Sequence, residues 1–272
     1  MALPPAHALI NVASKDGTML SVTVTGEGPP MVIVPGSLGT ARDWQAVADA
    51  TAPYLTTYAI DRCGRAASGD HSEYSLQREV EDVSSVLDLA GPEAILFGHS
   101  FGGLVSLALS IDRAISGLAL YEPGLPLNGP VAGAALAPFS TLVASGDMDA
   151  ALRFGVENYV GLTADEATAF AQTPEWSKLM PLTPTWTREL AAIDSFTFDI
   201  QRLSTLATPA LMMAGELSPA WLVDVTRQMH EALPQSTFAV LPGQGHGANA
   251  SAPDLVAAEL VRFASTLNAC LT

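Results

Sequence analysis

An apolar run of strand length, Ala94–Phe97, gives way to a helical pattern across only Gly98-His99-Ser100-Phe101-Gly102-Gly103. Leu104, Leu107, Ala108 and Ile111 then follow the i, i+3, i+4, i+7 spacing of one helix face. A strand that turns into a helix in so few residues needs a tight, strained turn, and the glycines remove the Cβ atoms that would block it. Such a turn lifts the Ser100 hydroxyl above the carboxyl end of a buried strand. It also leaves the Phe101 N–H at a helix start, free to donate to an anion.

The same alternation runs through much of the chain. Leu20, Val22 and Val24 alternate with Ser21, Thr23 and Thr25, as in a half-buried strand. Met31–Val34, Thr57–Ile60, Gly117–Tyr121, Ala210–Met213 and Phe238–Leu241 are short apolar runs, the pattern of fully buried parallel strands. Helical periods lie between them, at Leu76, Val80, Val83 and Leu87 and at Val256, Leu260, Phe263 and Leu267. This predicts an α/β fold, a mostly parallel sheet with helices on both faces. Between Tyr121 and Pro209 no strand is expected. Helical spacing at Met148, Leu152, Val156 and Tyr159 and a capping box from Thr163 to Glu166 predict a helical insertion over 128–200. The core domain is then 1–127 and 201–272.

Composition bounds the function. With 49% hydrophobic and 15% charged residues in 272, the chain buries a large core, and its net charge of −16 repels nucleic acid and anionic membrane. The start lacks a basic n-region, and no apolar stretch reaches membrane-spanning length. Cys63 and Cys270 form no metal-site spacing and are expected to be reduced thiols. A cytoplasmic monomer or homodimer acting on a small molecule is expected, with no metal or cofactor motif visible.

The elbow GHSFGG, the upstream VIVPGSLGT, the loop DRCGRAASG and the late LPGQGHGA together resemble the α/β-hydrolase superfamily along essentially the whole chain. The resemblance implies an eight-stranded, mostly parallel sheet with a helical cap inserted after the sixth strand. It implies Ser100 as nucleophile and His246, among Gly243, Gly245 and Gly247, as general base. Ser37 and Phe101 would supply the oxyanion N–H groups. The family's upstream loop usually begins His-Gly, whereas this chain has Pro35-Gly36. Asp61 and Arg62 read as residues that hold loops together. His99 reads as a packing residue, His7 and His71 as terminal and loop residues, and His230 as a surface position on a helix.

The acid is the irregular part. In most family members it lies three residues past a glycine after the seventh strand, but here Gly215-Glu216-Leu217-Ser218 puts a serine there. Glu122, at the end of the sixth strand, occupies the other position from which this fold delivers an acid, as in haloalkane dehalogenases and some lactone hydrolases. Glu216 sits two residues early in its loop. The remaining alternatives are Asp194, Asp224, or no acid at all.

These residues imply acyl transfer to water through an acyl-enzyme on Ser100. The substrate expected is a carboxylic ester or lactone of a medium-sized, largely apolar molecule. Leu38, Leu125, Trp176, Met180 and Trp186 are the candidate substrate-binding residues, with Phe139 beside them. The alternative is a non-hydrolytic use of the fold, as a cyclase, a cofactor-free lyase or a ligand-binding protein.

Overall fold

The computed structural model describes residues 7–269. Its strands are β1 (His7–Ala13), β2 (Met19–Thr25), β3 (Pro30–Val34), β4 (Thr56–Ile60), β5 (Ile95–His99), β6 (Gly117–Tyr121), β7 (Ala210–Gly215) and β8 (Ser236–Leu241). They form one eight-stranded sheet in the order β1-β2-β4-β3-β5-β6-β7-β8. β1 and β2 are antiparallel to each other, and β2 to β4; every later pairing is parallel. The helices of the sheet-bearing unit are α1 (Gln45–Thr51), α2 (Leu76–Ala90) and α3 (Phe101–Asp112) in its first part. Between β6 and β7 come α4 (Leu136–Ser145), α5 (Met148–Gly155), α6 (Ala164–Phe170), α7 (Pro174–Leu179) and α8 (Thr183–Ser195). The chain closes with α9 (Ala220–Ala232), α10 (Ala248–Ser251) and α11 (Pro253–Ala269).

Two compact units result. One holds the sheet, from the first described residues to Gly124 and again from Asp199; the other spans Leu125–Phe198. Every residue of β6 and β7 is buried, which is why those strands read as unbroken apolar runs. On one sheet face Ile33, Phe97, Ala119 and Leu211 join Trp44 and Val47 from the α1 region and Val256, Leu260 and Phe263 from α11 in a single core. Trp44 meets Phe97 edge-on at 5.0 Å. In register, Val34 lies beside Gly98, His99 beside Tyr121, and Tyr121 beside Met213. The carboxyl ends of four neighbouring parallel strands are therefore level, and the loops that leave them gather at one edge.

Two elements go unmarked in the sequence. β1 is an edge strand exposed along most of its length, so it carries little apolar alternation. α1 is short and rich in alanine. Among the described residues no helix is long and apolar enough to cross a membrane. Cys63 is buried, and Cys270 lies outside the described residues.

The second unit is built around its own aromatic core. Phe139, Tyr159 and Trp186 meet edge-on, with centroids 5.4 to 5.6 Å apart. Asp194 accepts hydrogen bonds from three successive amides, Val131, Ala132 and Gly133, at 2.7, 3.1 and 2.7 Å.

His71 departs from its reading as an ordinary polar-loop residue: it is buried between two acids. Its Nδ1 lies 2.8 Å from Asp16 and its Nε2 2.9 Å from Asp82, whose other oxygen accepts from Ser14 at 2.5 Å. The cluster ties the β1–β2 turn, the loop after β4 and α2 into one corner. Burial disfavours the imidazolium, but the bonds to Asp82 and Asp16 outweigh it and raise the His71 pKa. Burial pushes the Asp82 carboxyl up to about 6, against its bonds to Ser14 and His71. Both shifts mean that the native state holds more protons than the unfolded chain, so the corner's contribution falls as pH rises. The His71 part is complete below its ordinary pKa of 6.5 and is lost as pH passes through the raised native value. The substitution His71→Gln is expected to cost about 1–3 kcal/mol near pH 6. Thermal denaturation between pH 6 and 9 should show the gap from the parent protein narrowing as pH increases.

Candidate active site

Ser100 occupies the turn between β5 and α3 with φ 52° and ψ −121°, in a region that L residues resist. The surroundings hold it there. Its N–H donates to the Tyr121 carbonyl at 3.0 Å, and its carbonyl accepts from the Gly103, Leu104 and Gly124 amides at 2.9, 3.2 and 3.0 Å. The packing leaves no space for side chains beside the turn. A Cβ on Gly102 would lie 2.1 Å from the Val34 carbonyl oxygen, and one on Gly36 would lie 2.8 Å from Ser100 Cβ. The segment after β3 is thus pressed directly against the serine.

That segment lacks the histidine usual at its start, and two arginines from the loop after β4 hold it instead. Arg62 donates to the Gly36 carbonyl at 3.0 Å; Arg65 donates to the Gly36 and Gly39 carbonyls at 3.3 and 3.0 Å. Arg62 also binds Glu79 at 2.6 Å, with both side chains about 1% exposed, and lies 4.7 Å over the Phe101 ring. Asp61 accepts the Ala41 amide at 2.9 Å. Asp61 and Arg62 therefore fasten loops, as their sequence context suggests. Arg65 is a third fastener that the sequence did not single out. Within the turn the Gly39 N–H reaches the Gly36 carbonyl at 3.2 Å and Leu38 has φ 58°. Among the described residues, the Ser37 and Phe101 N–H groups donate to no backbone carbonyl.

The acids separate cleanly. Glu122 follows β6 at φ 46°, with its N–H on the Met213 carbonyl at 3.1 Å. Its side chain has no exposed surface; Oε1 accepts the Gly215 amide at 2.6 Å and Oε2 lies 2.5 Å from His246 Nδ1. With the Nδ1 proton directed to this carboxylate, a neutral His246 keeps its lone pair on Nε2. Glu216 points elsewhere, accepting the Gly243 amide at 2.7 Å. Ser218 Oγ is buried without a hydrogen-bond partner among the described residues. Asp194 is committed to the amides described above, and Asp224 is exposed on α9. His230 is half-buried and pairs with Ser236 at 2.7 Å; His7, exposed, lies 3.0 Å from Thr25 Oγ1.

Among the candidate substrate residues, Leu38 is buried in the Gly36–Gly39 turn and Leu125 is buried where the second unit begins. Trp176 bonds Asp149 through Nε1 at 2.7 Å and meets Phe170 edge-on, while Trp186 packs on Phe139, Tyr159 and Gly155. Both indoles are buried within the helical unit, Trp176 at 3% and Trp186 at 5% exposure. Met180 is partly buried. Among the described residues one group has metal-ligand chemistry: atoms of Cys63, His71 and Asp82 lie within 4.8 Å of one another. Both His71 nitrogens lie within hydrogen-bond distance of carboxylates.

A family model described as the alpha/beta hydrolase family matches residues 31–259. The chain belongs to that family. An alpha/beta hydrolase from Sphaerobacter thermophilus has a solved structure that superposes with a TM-score of 0.86 at 31% identity, over 93% of this chain and 99% of that one. In sequence, this alpha/beta hydrolase is 26% identical over 250 residues to a putative carbamate hydrolase RutD of Cronobacter turicensis, covering 83% of this chain and 86% of that protein. It is 23% identical over 256 residues to a pimeloyl-[acyl-carrier protein] methyl ester esterase of Vibrio atlanticus, covering 89% and 96%.

The 2.5 Å contact between His246 and Glu122 predicts a low-field imidazole N–H resonance in the proton NMR spectrum. It should vanish in Glu122→Gln and persist in Glu216→Gln.

Proposed function

We propose that this alpha/beta hydrolase is a serine hydrolase that cleaves a carboxylic ester or lactone of a medium-sized, largely apolar and uncharged molecule. The observation that carries the reading is His246, its Nδ1 bound 2.5 Å from a fully buried carboxylate, on the same strand-end edge as the strained Ser100 turn. Ser100 Oγ attacks the substrate carbonyl carbon while His246 Nε2 takes its proton. The carbonyl oxygen becomes an oxyanion, stabilised by the Ser37 and Phe101 N–H groups. As the tetrahedral intermediate collapses, the imidazolium returns the proton to the departing alkoxide, leaving an acyl-Ser100. Water deprotonated by His246 then attacks the acyl carbon, and the carboxylic acid leaves as Ser100 is reprotonated.

Glu122 serves as the acid of this triad, fixing the tautomer and stabilising the imidazolium. A lactone fits the same chemistry, with the alkoxide remaining tethered in the product. The chain's net charge of −16 disfavours strongly anionic substrates. Likeness to a protein named as a carbamate hydrolase makes a carbamate the competing acyl group, because the attack geometry is shared.

A fluorophosphonate probe is expected to label Ser100, and the adduct should be absent in Ser100→Ala; an unlabelled parent protein would return the fold to the non-hydrolytic reading. Steady-state kinetics should show Glu122→Gln lowering kcat by roughly 10³- to 10⁴-fold. Glu216→Gln and Ser218→Ala should stay within about 2-fold, since Glu216 binds the Gly243 amide and neither side chain bonds His246. Across a panel of neutral aryl esters, lactones and carbamates, the esters and lactones should show the highest kcat/KM. A carbamate preference would replace the ester assignment.

A further inference from the structure

Two side chains beside the proposed triad touch the backbone of the loop that carries His246 rather than its ring. His99, the last residue of β5, is partly buried and places Nε2 3.0 Å from the His246 carbonyl oxygen. Tyr121, the last residue of β6, is fully buried and donates its hydroxyl to the carbonyl of Gly245. Consecutive carbonyls of the loop are thus held from two adjacent strand ends. The His99 ring also lies against the His246 ring, with centroids 4.4 Å apart, and against Tyr121 at 5.0 Å and Trp44 at 5.3 Å.

We propose that His99 and Tyr121 are positioning residues for His246, fixing the backbone of its loop so that Nε2 is aimed independently of the Glu122 bond. The inference rests on the triad reading above. Its chemistry is consistent on both sides. A carbonyl accepts only from a protonated nitrogen, so His99 must carry its hydrogen on Nε2. Its Nδ1 faces the segment after β3, where a Cβ on Gly36 would stand 3.0 Å away. Burial first, and then the neighbouring His246, hold the His99 pKa well below the ordinary value, against the bond to the His246 carbonyl. The ring therefore stays neutral, placing no second cation against His246 when that residue takes the serine proton. Burial and the nearby Glu122 charge push the Tyr121 phenol up, so it remains a donor.

The loop needs such anchors because it contributes no strand pairing of its own. It leaves β8 through Pro242-Gly243, and His246 stands between Gly245 and Gly247, residues that give the backbone freedom rather than restraint. One side-chain bond from Nδ1 fixes a point on the ring but not the ring's rotation about that point. Two carbonyl anchors fix the peptide planes on either side of the His246 Cα, and with them the direction of its Cβ.

The test uses Tyr121→Phe, which removes one oxygen, with His99→Phe and His99→Gln, on the full chain. With a neutral aryl ester as substrate, Tyr121→Phe and His99→Phe should each lower kcat by about 10- to 100-fold. KM should change less than about 2-fold, since nothing that binds ground-state substrate has been removed. The double variant should lose less than the product of the two effects, because both act on one loop. His99→Gln, which retains a donor, should recover part of the loss. The low-field His246 resonance should shift or broaden in both phenylalanine variants while their melting temperatures show folded protein. Should His99→Phe fail to fold, Tyr121→Phe carries the test alone. An unchanged resonance and unchanged kcat in folded Tyr121→Phe overturn the proposal. If the parent protein neither turns over ester nor reacts at Ser100, the functional reading fails, and the resonance alone decides whether these residues position His246.

Discussion

The turn from β5 into α3 has no spare volume, and the rest of the site is arranged around that fact. Gly102 stands so close to the Val34 carbonyl that any side chain there would displace β3, and Gly36 has no room for one beside Ser100. Packing of this density makes the serine's positive φ affordable, because relaxing it would require moving two neighbouring strands together. The strain is thus held by the parallel sheet, whose level strand ends bring four loops to one edge. Cores of this kind are close-packed and respond to an added methylene by shifting backbone.

Around the turn, charge replaces shape where the chain departs from the family. The upstream segment has lost its histidine, and two arginines clamp its carbonyls while Glu79 and Phe101 hold Arg62 in turn. A buried guanidinium with its carboxylate partner is costly to desolvate, and removing either partner typically costs about 3–5 kcal/mol. Helix α2 carries the anchors for this arrangement. Its buried residues Glu79 and Asp82 receive Arg62 and His71, and so fix both ends of the loop after β4. One helix face therefore governs the geometry of an N–H group several residues and two elements away.

Much of the fold was legible because buried parallel strands must be apolar along their whole length. The runs at Gly117–Tyr121 and Ala210–Met213 coincide with β6 and most of β7 for that reason. The serine turn was legible because glycine spacing reports steric demand directly, and Glu122 was singled out by its place at a strand end together with the family resemblance. β1 was hidden because an exposed edge strand buries too little to show a pattern. The His71 corner was hidden for a different reason: its partners, Asp16 and Asp82, lie 55 and 11 residues away along the chain. The contacts of His99 and Tyr121 were equally hidden, since their targets are carbonyls, which every residue possesses. The packing partners of Trp176 and Trp186 were hidden too, because aromatic identity alone does not distinguish a pocket wall from a helical core.

Glu122 has a consequence that extends past its histidine. Its two oxygens are divided, one on His246 and one on the Gly215 amide at the end of β7, while its own amide is fixed to Met213. The carboxylate works as a bracket between neighbouring strands as well as a partner of the imidazole. Any shift of β7 along its axis is transmitted to the imidazole through a single planar group with no slack. Alterations at that strand end would then register first as a turned imidazole, long before the sheet itself began to open.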